Sequence, residues 1–108
     1  MNKITTTDHL VALHNELELS FSAMIAASVA VMRAEFNLAN KEVEFILNGI
    51  IDGKNDMVRD AQLKGYTMEE REILLNEKTR LKAETVKYEV AKSQVNLAHV
   101  LVTLVEDR

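Results

Sequence analysis

Three histidines are the side chains in this chain best suited to bind a metal or move a proton: His9, His14 and His99. On a helix, His14 and Glu18 stand four residues apart, close enough to share an ion. Two ligands leave a metal site incomplete, and no Glu-x-x-His pair of the di-iron bundle type completes it, because Asn96 stands where a glutamate would precede His99. The expectation is therefore no metal and no cofactor. Asp52-Gly53-Lys54-Asn55-Asp56 has the outline of a calcium loop, but Lys54, Met57 and Leu63 occupy positions that need an oxygen ligand, a glycine and a glutamate. No P-loop, GxGxxG, GxSxG or HExxH motif occurs, and the chain has no cysteine for a thiolate site, a nucleophile or a disulfide. With no carboxylate in an evidently apolar setting, the chain is expected not to be an enzyme.

Lys78, Arg80, Lys82, Lys87 and Lys92 are the candidate nucleic-acid contacts. They lie in a segment of 7 basic and 8 acidic residues (67–108), and the net charge of the whole chain is −4. Glu89 follows Lys78 and Lys82 on their helix face. Nucleic-acid binding is thus a secondary reading, unlike that of a compact helix-turn-helix protein.

These residues are carried by a chain built for helices. Its 108 residues are the length of one domain, 47% are hydrophobic, proline is absent and glycine occurs three times. The stretch from Leu19 to Met32 has no formal charge over fourteen residues, while 28% of the chain is charged. Fourteen is short of the roughly 20 apolar residues that span a bilayer, and the stretch lies inside a longer helical pattern, unlike a signal peptide. No membrane association and a cytoplasmic location are the expectations. On a helical wheel, Leu10, His14, Leu17, Phe21, Ile25, Met32 and Phe36 form a large-residue stripe, opposite Ala12, Ala23, Ala26, Ala27, Ala30 and Ala34. The alanine face would admit a close neighbour helix.

The punctuation predicts helices over about 8–36, 41–64 and 68–105. Asn37 to Asn40 marks the first break, and Gly65 a stop at positive φ. Thr67-Met68-Glu69-Glu70 matches a capping box opening the third helix. Gly49 and Gly53 allow a kink or break near 52–56. The expected fold is all-α: an antiparallel three-helix bundle, or a four-helix one if the second helix breaks, with a long C-terminal helix.

That last helix carries two apolar stripes. One is Met68, Leu75, Ala83, Val86, Val90, Leu97, Leu101 and Leu104. The other repeats on strict sevens at Leu74, Leu81, Tyr88, Val95 and Val102, with Glu77, Glu84, Ala91, Ala98 and Val105 as companions, a coiled-coil signature. With helices of ~42, ~36 and ~57 Å at 1.5 Å per residue, an up-down-up arrangement leaves the apolar end Ser93 to Val105 overhanging. A second copy would cover it, through Tyr88, Val95, Ala98, His99, Val102 and Val105, and His99 would make that interface pH-sensitive. The functional expectation is a non-enzymatic protein–protein interaction module (an adaptor, inhibitor, regulator or assembly factor) acting as a homo-oligomer with a protein partner. A bundle holding a hydrophobic small molecule is a further alternative.

Overall fold

The structure, a computed structural model, describes residues 3–106, with side chains from residue 7 onward. It is all-helical: α1 spans Lys3–Leu47, α2 Asp56–Tyr66 and α3 Met68–Glu106. The described residues divide into two compact units, residues 3–26 with 82–106, and residues 27–81.

The first unit is an antiparallel helix pair. As α1 advances from His14 to Phe21, α3 runs back from His99 to Tyr88. The histidine rings lie 5.1 Å apart and the Phe21 and Tyr88 rings 5.5 Å apart. On α1 the less exposed positions include Leu10, Leu13, Leu17, Ser20 and Met24, spaced alternately by three and four, with Ala23 beside them. On α3 they include Glu84, Tyr88, Ala91, Val95, Ala98 and Val102, with the same alternation, and Thr85 beside them. Ala91, Val95 and Ala98 are buried. This 3-4 spacing keeps one seam facing the neighbour helix, as in a coiled coil.

The second unit adds the connector. Here α1 buries Ala27, Val31 and Ala34. It ends in a Schellman turn: Gly49, at φ +73°, donates its N–H to the Ile46 carbonyl at 3.2 Å, and the Ile50 N–H reaches the Phe45 carbonyl at 3.1 Å. Residues 50–55 then fold onto α2. The Gly53 N–H donates to Gln62 Oε1 at 2.9 Å, Gln62 Nε2 donates to Asp52 Oδ1 at 2.9 Å, and Arg59 Nη1 donates to the Gly53 carbonyl at 3.1 Å. Asn55 caps α2 through Oδ1, which accepts from the Val58 N–H at 2.9 Å. Phe45 packs against Tyr66 with ring centroids 5.5 Å apart, and Arg71 Nη2 reaches Glu42 Oε1 at 3.0 Å across the two helices.

Four expectations about the elements are corrected. No helix break occurs at Asn37 to Asn40, because asparagine costs only up to about 0.7 kcal/mol in a helix interior and half-buried Leu38 continues the inward face. The predicted second helix is instead divided: its first part belongs to α1, and the chain breaks at 48–55. Gly65 is no helix stop, since it lies inside α2, which ends at Tyr66. The capping box does not form. A single residue joins α2 to α3, so the Thr67 N–H is taken by the Leu63 carbonyl at 3.0 Å, and Glu70 has no free N–H to reach. The fully buried Thr67 donates its hydroxyl to the Leu63 carbonyl as well, and accepts from Arg71 Nε at 2.9 Å.

Two glycines therefore respond oppositely to alanine. A Cβ at Gly53 would stand 2.6 Å from Val58 Cγ1 and 3.0 Å from the Arg59 nitrogen, whereas one at Gly65 meets nothing within 4 Å. Gly65→Ala is expected to stabilise the chain by up to about 1 kcal/mol, the helix-propensity difference, and Gly53→Ala to destabilise it. Urea unfolding of the two variants checks both signs; a loss of stability in Gly65→Ala would restore glycine as the helix stop.

Candidate interaction surface

In the first unit the buried residues, Ala91, Val95 and Ala98, are small, Leu10, Leu13, Leu17, Met24 and Tyr88 are half-buried along the same seam, and further large side chains lie outside. Because α1 is not cut at Asn37, residues 3–26 of α1 stand beside residues 82–106 of α3, and the expected overhang of Ser93 to Val105 does not arise. The strict-sevens seam is occupied by the chain's own α1. Of the six residues assigned to a self-interface, Val95 and Ala98 are buried, Tyr88 and Val102 are half-buried, Tyr88 stacks on Phe21, and His99 meets His14. Val105 is exposed.

The other stripe of α3 is what solvent sees. Val86, Val90, Leu97, Leu101 and Leu104 are each more than half exposed, with Leu97 at 60%. In heptad terms Val90, Leu97 and Leu104 share one position, and Leu101 lies on the adjoining flank of the seam. On α1 the corresponding flank carries Ala12, Leu19, Ala23 and Ala26, with Leu19 at 71% exposure. The opposite flank of α1 holds Val11, Phe21 and Ile25, also exposed. A single large apolar side chain facing water is ordinary; here several stand in rows at helical spacing.

Polar chemistry on the same unit is sparse. Half-buried Glu84 occupies a seam position and is paired with Lys87 of its own helix at 3.6 Å. In the second unit Glu77 stands in the same way with Arg80 at 3.4 Å. Two of the five candidate nucleic-acid residues, Arg80 and Lys87, are therefore already in ion pairs. Lys82, Lys87 and Lys92 point in three directions around α3, spaced five residues apart at 100° each, and Lys78 and Arg80 stand on opposite sides. No shared phosphate-binding ridge results from that spacing. A shallow, open depression of about 420 Å³ on α3 is lined by Thr85, Val86, Glu89, Val90, Ser93, Gln94 and Leu97. It lies along the outer apolar stripe of one helix, and not between helices as a buried ligand would require.

The chain matches no protein-family model, and no curated protein and no solved structure shows significant similarity to it.

One finding bears on the membrane expectation. Within α1 an 18-residue window is apolar enough, and poor enough in charge, to cross a bilayer by length and composition. The uncharged run alone was too short; a window that admits up to two charged residues is not. Core helices of soluble proteins pass the same test, but little of this window is buried in the chain.

The inner and outer stripes of α3 separate in mutation. Val95→Glu places a carboxylate at a position 5% exposed and is expected to cost about 3 kcal/mol or more, with loss of helix content at moderate temperature. Leu97→Glu, two residues on, is expected to leave the helical circular dichroism in dilute solution close to wild type. Equal damage from the two would show that the seam is not where the burial pattern places it.

Proposed function

We propose that this protein is a non-enzymatic helical interaction module that works as a homo-oligomer, each chain covering the outer stripe of α3 on another copy. The observation that carries this reading is the row Val86, Val90, Leu97, Leu101 and Leu104, exposed along a helix whose opposite face is already packed.

The form of this row supports a second copy as the occupant: its five positions are uncharged and run about 27 Å along one helix, so an identical row on another chain can lie against it. Two hairpins laid together along their apolar flanks would make a four-helix core of the kind that long amphipathic helices form. A two-fold arrangement suits this best, since it places identical stripes against each other and leaves no open-ended contact. The remaining exposed helix faces would then be available to a macromolecular partner, as in an adaptor, inhibitor, regulator or assembly factor.

Sedimentation equilibrium over a hundredfold range of concentration tests the reading. Wild type is expected to associate, and the Leu97→Glu/Leu101→Glu double variant to remain a folded monomer at every concentration. A wild-type chain that is monomeric throughout would remove the homo-oligomer. If that monomer then co-sediments with phospholipid vesicles, the apolar surface belongs to a bilayer instead.

A further inference from the structure

His14 and His99 are 85 residues apart in sequence, yet the antiparallel pairing of α1 and α3 brings their Nε2 atoms to 2.9 Å. The rings meet edge to face, 5.1 Å between centroids and 73° between planes. Both residues are exposed and sit at the rim of the seam, so water has access to the point the two nitrogens share. We propose that this pair is a two-histidine binding site for a divalent transition-metal ion of imidazole-loving character, Zn²⁺, Ni²⁺ or Cu²⁺, which clips α1 to α3.

The geometry is close to what such an ion needs. With metal–nitrogen bonds of about 2.0–2.1 Å, two imidazole nitrogens on one ion are about 2.9 Å apart at a right angle and about 3.3 Å apart at the tetrahedral angle. The observed separation lies at the lower of these, and each ring nitrogen must turn by about 35–45° from the line joining the two to aim both lone pairs at one ion. Without an ion the two Nε2 atoms share a single proton, which requires the rings to be opposite tautomers. An ion accepts both lone pairs and lets both rings keep their proton on Nδ1. Imidazole nitrogens are suited to Zn²⁺, Ni²⁺ and Cu²⁺, while Mg²⁺ and Ca²⁺ prefer oxygen. No third His, Cys, Asp or Glu stands with the pair among the described residues. The protein thus supplies two ligands and water fills the remaining positions, an arrangement that leaves the ion open to a further ligand from outside.

Because the ligands lie on different helices, binding favours the folded pair over the unfolded chain, in which no such site exists. The sequence does not reveal this site: helical spacing links His14 to Glu18 on its own helix, and only the register between helices links it to His99.

The untagged full-length chain, titrated at pH 7.5 with ZnCl₂, and separately with NiCl₂, by isothermal calorimetry and by thermal unfolding, tests the proposal. One ion per chain and a thermal midpoint that rises to saturation are expected, with MgCl₂ giving neither. His14→Gln and His99→Gln are each expected to abolish both effects while His9→Gln keeps them. Circular dichroism confirms that the variants are folded, and the His9→Gln result stands whether or not they are. Absence of saturable binding in wild type would overturn the site, as would wild-type binding in a folded His14→Gln/His99→Gln variant or its loss in His9→Gln.

Discussion

The buried residues of α1 and α3 are all alanines and valines, with larger side chains only half-buried along the same seam, and this constraint sets the rest of the molecule. Ala91 and Ala98 in one unit and Ala27 and Ala34 in the other are buried, joined by Val95 and Val31 respectively. Alanine lets helix backbones approach, but each methyl removes little apolar area from water, on the order of 0.8 kcal/mol per carbon. Such a seam gains its strength from length, and long helices are what the chain supplies. The same choice sends the large apolar residues elsewhere: Phe21, Ile25, Met32 and Phe36 on α1 and Val90, Leu97 and Leu101 on α3 remain exposed. The most completely buried residues of this helix pair are therefore its small ones, and much of its larger apolar area stays exposed.

The connector shows how an alanine-rich helix is stopped without proline. Gly49 ends α1 by taking a backbone conformation that costs other residues about 1–2 kcal/mol. Gln62 and Arg59 of α2 then satisfy the Gly53 backbone, and Gln62 the Asp52 side chain, leaving no room for a side chain on Gly53. At the other end, Thr67 makes the turn from α2 to α3 in one residue. Its hydroxyl is shared between the Leu63 carbonyl and the Arg71 guanidinium, which also pairs with Glu42 on α1. The two helices of the second unit are thereby tied to the connector by a chain of polar contacts around a buried threonine.

Much of this was legible in the residues. The all-helical class follows from the absence of proline and the periodicity, and the heptad positions Leu74, Leu81, Tyr88, Val95 and Val102 are the less exposed ones in the structure. Periodicity identifies a face but not the partner that covers it. A first helix that ends at Asn37 is too short to reach the end of α3 and leaves the seam to a second chain. A weak propensity lost to packing there, as Leu38 shows. At Thr67 the motif was genuine as a string, but its N–H was committed to the preceding helix, which a local pattern does not register. The meeting of His14 with His99 depends on the register between two helices, and no spacing within either one encodes it.

The central claim is that α3 has one face closed by its own chain and an opposite face closed by another copy. The chain has no cysteine, so single cysteines report each face against a clean background. The measurement is the alkylation rate of Leu97→Cys and of Ala98→Cys as a function of protein concentration. At position 97 the rate should be fast in dilute solution and fall as the protein is concentrated, while at position 98 it should be slow throughout. A Leu97→Cys thiol that reacts equally fast at every concentration would contradict the account.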